Sequence, residues 1–196
     1  MDERFAHTTY TLRRKVFKLF GGAFHVFDEH GNVVLYAKQK SFKLREDIRL
    51  YTGEDLSTEV LAINARQVID FAAAYDVTDP STGSKVGALR RKGWKSFVRD
   101  EWQILDAADN QIGMVQEESQ AVAILRRLLG GLIPQTFHVT VSGQHVARFH
   151  QRFNPFVYKL DLDFTPDSAA GVFDRRLGLA AAVLVGAIEG RQGSGS

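Results

Sequence analysis

From Leu177 to Ile188 the chain carries no polar side chain. A helix over this stretch would be apolar on every face, and such a helix must be enclosed by protein or by lipid. Twelve residues fall short of the about 20 that span the hydrocarbon core of a bilayer. The helix is therefore expected inside the protein's own core. Asp174 is placed to start it, with Phe173 before it as a hydrophobic staple. Gly178, Ala180, Ala181, Ala182, Gly186 and Ala187 make it a narrow cylinder. About 16 helical residues reach about 24 Å, comparable to the height of a β-barrel.

The residues before it read as strands. Runs rich in β-branched and aromatic residues are predicted near 10–19, 23–28, 33–39, 47–52, 58–64, 67–77, 85–91, 96–106, 111–117, 135–141, 145–152 and 156–164. Asp28-Glu29-His30-Gly31-Asn32, Asp79-Pro80-Ser81-Thr82-Gly83, Asp106-Ala107-Ala108-Asp109-Asn110 and Ser142-Gly143-Gln144 supply the turns between them. Connections this short favour antiparallel hairpins. Thr136, His138 and Thr140 alternate with Phe137, Val139 and Val141, so one face of that strand is wet and the other buried. One helix interrupts the strands. Ser119 caps it, Val122, Leu125, Leu128 and Leu129 form its stripe, and Gly130-Gly131 ends it. It reads as a plug over an open barrel end, with a membrane-surface helix as the alternative. The fold class is mainly β: a closed antiparallel barrel around a central hydrophobic C-terminal helix, with a short amphipathic helix between late strands.

The length suits a single domain over 1–192, with 193–196 as a flexible tail or cloning remnant. No cysteine is present, which excludes disulfides, thiolate nucleophiles and Cys-based zinc sites. The first residues lack the apolar run of a secretory signal, so the default location is cytoplasmic, with peripheral attachment to a membrane as the extension. A net charge of +2 is too small to call for a polyanion, and nucleic acid is not an expected partner.

Several segments resemble the tubby-like C-terminal superfamily, which includes tubby-type domains, phospholipid scramblases and LURP-one-related proteins. They are Tyr75-Asp76-Val77-Thr78-Asp79, Gly87-Ala88-Leu89-Arg90-Arg91-Lys92-Gly93-Trp94-Lys95-Ser96, Asp100-Glu101-Trp102, Ile104-Leu105-Asp106, Ile112-Gly113, Glu118-Ser119 and Asp174-Arg175-Arg176-Leu177. The likeness runs from about Tyr10 to Arg191. It implies a twelve-stranded barrel enclosing a hydrophobic helix. It also implies two activities to weigh, since tubby-type domains bind phosphoinositides and scramblases act on membrane lipids with calcium. The chain departs from scramblases in having no cysteine for lipid anchoring and no Pro-rich leader.

The leading candidate site is Lys38, Lys40, Lys43 and Arg45, following the apolar Val33-Val34-Leu35-Tyr36-Ala37. Tubby domains hold a phosphoinositide headgroup with basic residues in a similar place. Lys38 and Lys40 fall on one face of an extended chain and can converge on a phosphate. The ordinary alternative is a solvated strand edge protected by lysines. A second basic patch is Arg90, Arg91, Lys92 and Lys95, with Arg99 beyond and Trp94 and Phe97 interleaved. It suits anionic lipid or a structural role, with Asp100 and Glu101 to offset it. Arg13, Arg14 and Lys15 form a third cluster.

Calcium finds a poor register. Asp161, Asp163, Thr165 and Asp167 occupy positions one, three, five and seven of an EF-hand-like run, but Pro166 replaces the glycine and Val172 the bidentate glutamate. No esterase, zinc-protease, P-loop or dinucleotide motif occurs. Pairing about Ser142–Gln144 sets His138 opposite Arg148 rather than His150, so no metal site is expected. No catalytic residue and no cofactor are assigned. The chain reads as a non-enzymatic module for anionic, phosphoinositide-like headgroups at a membrane surface, with no transmembrane span. The alternatives are a structural or protein-interaction barrel, a scramblase-like activity, and an enzyme of unrecognised type.

Overall fold

In the computed structural model the described residues are 2–15, 23–42, 45–66, 74–91, 101–118, 134–154 and 156–192. They form twelve strands: β1 (Thr9–Lys15), β2 (Ala23–Phe27), β3 (Val33–Phe42), β4 (Arg45–Tyr51), β5 (Glu59–Ala65), β6 (Ala74–Asp79), β7 (Ser84–Arg91), β8 (Glu101–Leu105), β9 (Gln111–Glu117), β10 (Thr136–Val141), β11 (Gln144–Arg152) and β12 (Val157–Asp163). Each pairs antiparallel with its neighbours in sequence, and β1 closes on β12 from Thr9↔Asp163 to Lys15↔Val157. Closure leaves no free sheet edge. The helix expected from Ser119 to Gly131 lies outside the described residues, as do 16–22, 67–73 and 92–100, where three expected strands begin or end.

The core follows from the pleat. Phe24 and Val26 of β2, Leu35 and Ala37 of β3, and Ile48 and Leu50 of β4 are fully buried, and their neighbours along each strand face outward. β3 runs three residues further than the expected 39, because β4 pairs with it out to Phe42↔Arg45. Lys40, like Lys38, is thus a residue of the strand.

The helix α1 (Arg175–Gln192) fills the barrel. From Leu177 to Ala187 every residue with a side chain is buried. A Cβ on Gly178 would lie 2.5 Å from Phe164 and 3.0 Å from Phe173, and one on Gly186 would lie 3.0 Å from both Phe24 and Tyr158. The glycines therefore let aromatic rings pack directly against the helix backbone. Asp174 caps the helix, accepting from the Arg176 amide at 2.9 Å. Phe173 is buried beside it, but the fourth helical position is Gly178, so the ring rests on bare helix and not on a partner side chain.

The start of the helix is locked to the wall. Asp167 follows β12 in a 3-10 turn, Thr165–Asp167, and its carboxylate is 0% exposed. It accepts from the Val172 amide at 3.0 Å, the Phe173 amide at 3.3 Å and Arg175 Nη1 at 2.6 Å. The Arg175 guanidinium lies 4.8 Å above the Phe164 ring. Arg176 reaches Asp79 at 3.0 Å, tying the same helix turn to the end of β6.

Two hairpins use one loop design. Asp28 and Asp106 each accept from the amides two and four residues on and from the side chain of Asn32 or Asn110. The fourth residue must enter the left-handed region, and it is Gly31 in one loop (φ 84°) and Asp109 in the other (φ 68°). Aspartate tolerates that conformation better than most residues. Connections 28–32, 52–58, 80–83, 106–110 and 142–143 all gather at the barrel end where α1 begins. β1, β3, β5, β7, β9 and β11 run toward the other end, where α1 finishes.

Candidate functional site

β3 and β4 position the leading candidate. Lys38 is exposed, and its register neighbours are Ala23 on β2 and Arg49 on β4. Lys40 stands opposite Asp47, and Arg45 opposite Phe42 across the hairpin. Lys43 lies outside the described residues. Arg49 is already committed. It donates to Asp47 through Nε and, at 3.1 Å, Nη2, and to Glu59 at 2.6 Å. These hydrogen bonds, Asp47 first, raise its pKa further above the ordinary arginine range. Lys38 has no ion-pair partner among the described residues, so its ammonium can meet a soluble anion or a surface.

The second candidate patch is elsewhere. Arg90 and Arg91 end β7, opposite Gln103 and Trp102 of β8, while Lys92 and Lys95 lie outside the described residues. β7 is four strands from β3 around the barrel, so the two patches do not merge into one pocket.

Most acids near these cations are used. On the outer face Arg66 donates to Asp76 at 2.6 Å and to Asp109, and Lys85 donates to Asp109 at 2.7 Å. Lys85 and then Arg66 bring the Asp109 carboxyl down to about 2. A depressed folded pKa contributes stability above the unfolded value and loses it as pH falls through the folded one. Carboxyl NMR should accordingly place the Asp109 midpoint near 2, and Lys85→Ala should move it upward. A midpoint in the ordinary carboxylate range for the wild-type chain would contradict the network.

The acidic run near the end of β12 is likewise engaged. Leu160, Leu162 and Phe164 are buried. Asp161 accepts from Thr11 at 3.1 Å and pairs with Arg152, Asp163 accepts from the Thr165 amide at 2.9 Å, and Asp167 holds Arg175. Among the described residues no group of three or more His, Asp or Glu is arranged to hold a metal ion.

His138 does stand opposite Arg148, and Thr136 stands opposite His150 and bonds it at 3.0 Å. The neighbour missed in the sequence is His145. A bulge between Val139 and Thr140 brings its Nε2 to 3.2 Å from His138 Nδ1. One ring must donate and the other accept across that contact.

The closure of the barrel makes a cluster that the separate sequence runs conceal. Arg13 of β1 stands opposite Lys159 of β12, which stands opposite Arg152 of β11. Arg13 is exposed and stacks 4.4 Å from the centroid of Phe27. Arg152 pairs with Asp161, whereas Arg13 and Lys159 have no ion-pair partner among the described residues. Like charges opposed on neighbouring strands are unfavourable unless something offsets them. The signal available in the sequence was only the basic run at 13–15.

No helix among the described residues is long and apolar enough to cross a membrane. Residues 33–186 match the family model described as LURP-one-related. No curated protein is similar enough to match.

Proposed function

This chain belongs to the LURP-one-related family, and on that footing we propose that it is a non-enzymatic barrel module that holds anionic phospholipid headgroups at a membrane surface. The observation that carries the reading is Lys38, exposed on β3 and without an ion-pair partner among the described residues, while Arg49 beside it occupies Asp47 and Glu59. Lys40 lies two residues along the same strand, opposite the carboxylate that Arg49 already holds. Lys38 thus offers an exposed ammonium whose nearest carboxylates are held by Arg49, as recognition of a phosphate requires.

Flotation with vesicles of equal parts phosphatidylcholine and phosphatidylserine tests this. The wild-type chain should float at low salt and progressively less as salt rises, because exposed charges are screened. Each lysine near an anionic surface contributes about 1 kcal/mol. Lys38→Glu with Lys40→Glu should therefore weaken binding about thirtyfold or more. The melting temperature should hardly change, since exposed charges add little to stability. A wild-type chain that ignores these vesicles at low salt would leave the protein-interaction reading in its place.

A further inference from the structure

We propose that Phe153 and Phe156, on either side of the β11–β12 connection, form a membrane-inserting edge. Phe153 and Phe156 enter the interfacial layer of an anionic bilayer, and the Arg13–Lys159–Arg152 row lies against its phosphates. This rests on the headgroup reading above and adds to it a second contact with its own chemistry.

Phe153 is 54% exposed and Phe156 65%, the two most exposed large apolar side chains among the described residues. Their display is built into the loop. Asn154 Oδ1 accepts from the amides of Phe156 and Val157, both at 2.9 Å, which anchors the backbone where β12 begins. Arg152 immediately precedes Phe153, and Lys159 lies three residues after Phe156. Arg13 adjoins Lys159 through the strand register. Among the described residues Asp161 is the one carboxylate engaged with this row, and it also accepts from Thr11, so the row keeps a net positive charge. Aromatic rings flanked by cations match the two layers of a bilayer surface: an apolar boundary below and phosphates above. A free phosphate would leave the rings in water.

Charge along the barrel axis sets the orientation. The connections at the end where α1 begins, together with residues 2–8 and 164–174, carry ten carboxylates and one arginine. Although Arg175, Arg176, Arg66 and Lys85 of the adjoining elements pair with Asp167, Asp174 and Asp109, acids remain in excess there. An anionic surface repels that end. The Phe153–Phe156 connection is at the opposite end, where α1 finishes. Lys38 lies toward that end too, since it pairs with Ala23, the first residue of β2, and Arg13 pairs with His25 two residues on. One membrane plane can then serve both contacts.

The test uses the full chain and the same vesicles, with phosphatidylcholine brominated in its acyl chains as the quencher. Phe156→Trp, measured against the wild-type chain with its own Trp94 and Trp102, should show blue-shifted emission that the brominated lipid quenches. Phe153→Ser with Phe156→Ser should weaken vesicle binding about tenfold, the effect of withdrawing about 60 Å² of ring from the apolar layer. It should also remove the part of binding that survives high salt. Lys159→Glu should weaken binding about fivefold or more. If the chain floats but the reporter stays unquenched and the double serine variant floats like wild type, the inserting edge is overturned while the headgroup reading stands. Failure of the wild-type chain to float overturns both. A dimer that the double serine variant converts to monomer, with flotation unchanged, would assign the rings to a second copy and overturn the inserting edge.

Discussion

Leu184→Asp should yield no soluble folded barrel. Leu184 is fully buried on a helix whose surroundings, from Leu177 to Ala187, offer buried side chains on every side. A carboxylate there would lie among the apolar side chains of the core, and the effective penalty for burying an unpaired ion is several kcal/mol. That penalty adds to the about 2–5 kcal/mol for deleting a buried leucine. A whole domain is stable by only about 5–15 kcal/mol, so the sum is comparable to everything that holds the fold. Leu184→Ala isolates the cavity term and should fold with a lowered melting temperature, while Leu184→Met should cost less than about 1.5 kcal/mol. Soluble, cooperatively melting Leu184→Asp protein would mean that the helix does not lie inside the barrel. Removing the chain after Asp174 should likewise leave aggregated protein, because the inward faces of β2, β3 and β4 would then line a void.

The central helix was legible because it offers no polar face, a pattern that admits few environments. The hairpins were legible because Asp28–Asn32 and Asp106–Asn110 carry the side-chain acceptors and the left-handed residue that their turns need. Strand ends were less so. Lys40 and Ser41 break the apolar alternation, yet β3 continues through them because β4 supplies ladder partners out to Phe42. Backbone pairing of that kind leaves no mark on composition.

The site divides in the same way. Lys38 and Lys40 were visible because two lysines at alternate positions of one strand share a face whatever the partner strand is. The Arg13–Lys159–Arg152 row was not, since it depends on the register across the closure of the barrel. His145 escaped because a bulge of one residue rotates it toward His138. The exposure of Phe153 and Phe156 is invisible for another reason: an aromatic beside a turn reads as core until the burial is known.

Asp167→Ala should destabilise the chain more than any other single loss of a polar side chain described above. In the sequence this residue was the seventh position of a poor calcium register. In the structure it joins the end of β12 to the first turn of α1. Its carboxylate accepts from two backbone amides and from Arg175, and neither charged group is open to water: the Asp167 side chain is 0% exposed and that of Arg175 12%. Removing one partner of a buried pair leaves the other charge uncompensated, a loss of about 3–5 kcal/mol. For a chain of this size that lowers the melting temperature by about 10 °C. The guanidinium would remain above the Phe164 ring without its anion, and the two amides would lose their acceptor. Asp167→Ala combined with Arg175→Met should recover much of the loss, since the stranded charge disappears and an unbranched side chain still covers the ring. Melting the four proteins of this cycle gives the coupling directly. An Asp167→Ala variant within about 0.5 kcal/mol of wild type, the range of an ordinary surface change, would show that the helix start is held by its apolar contacts alone.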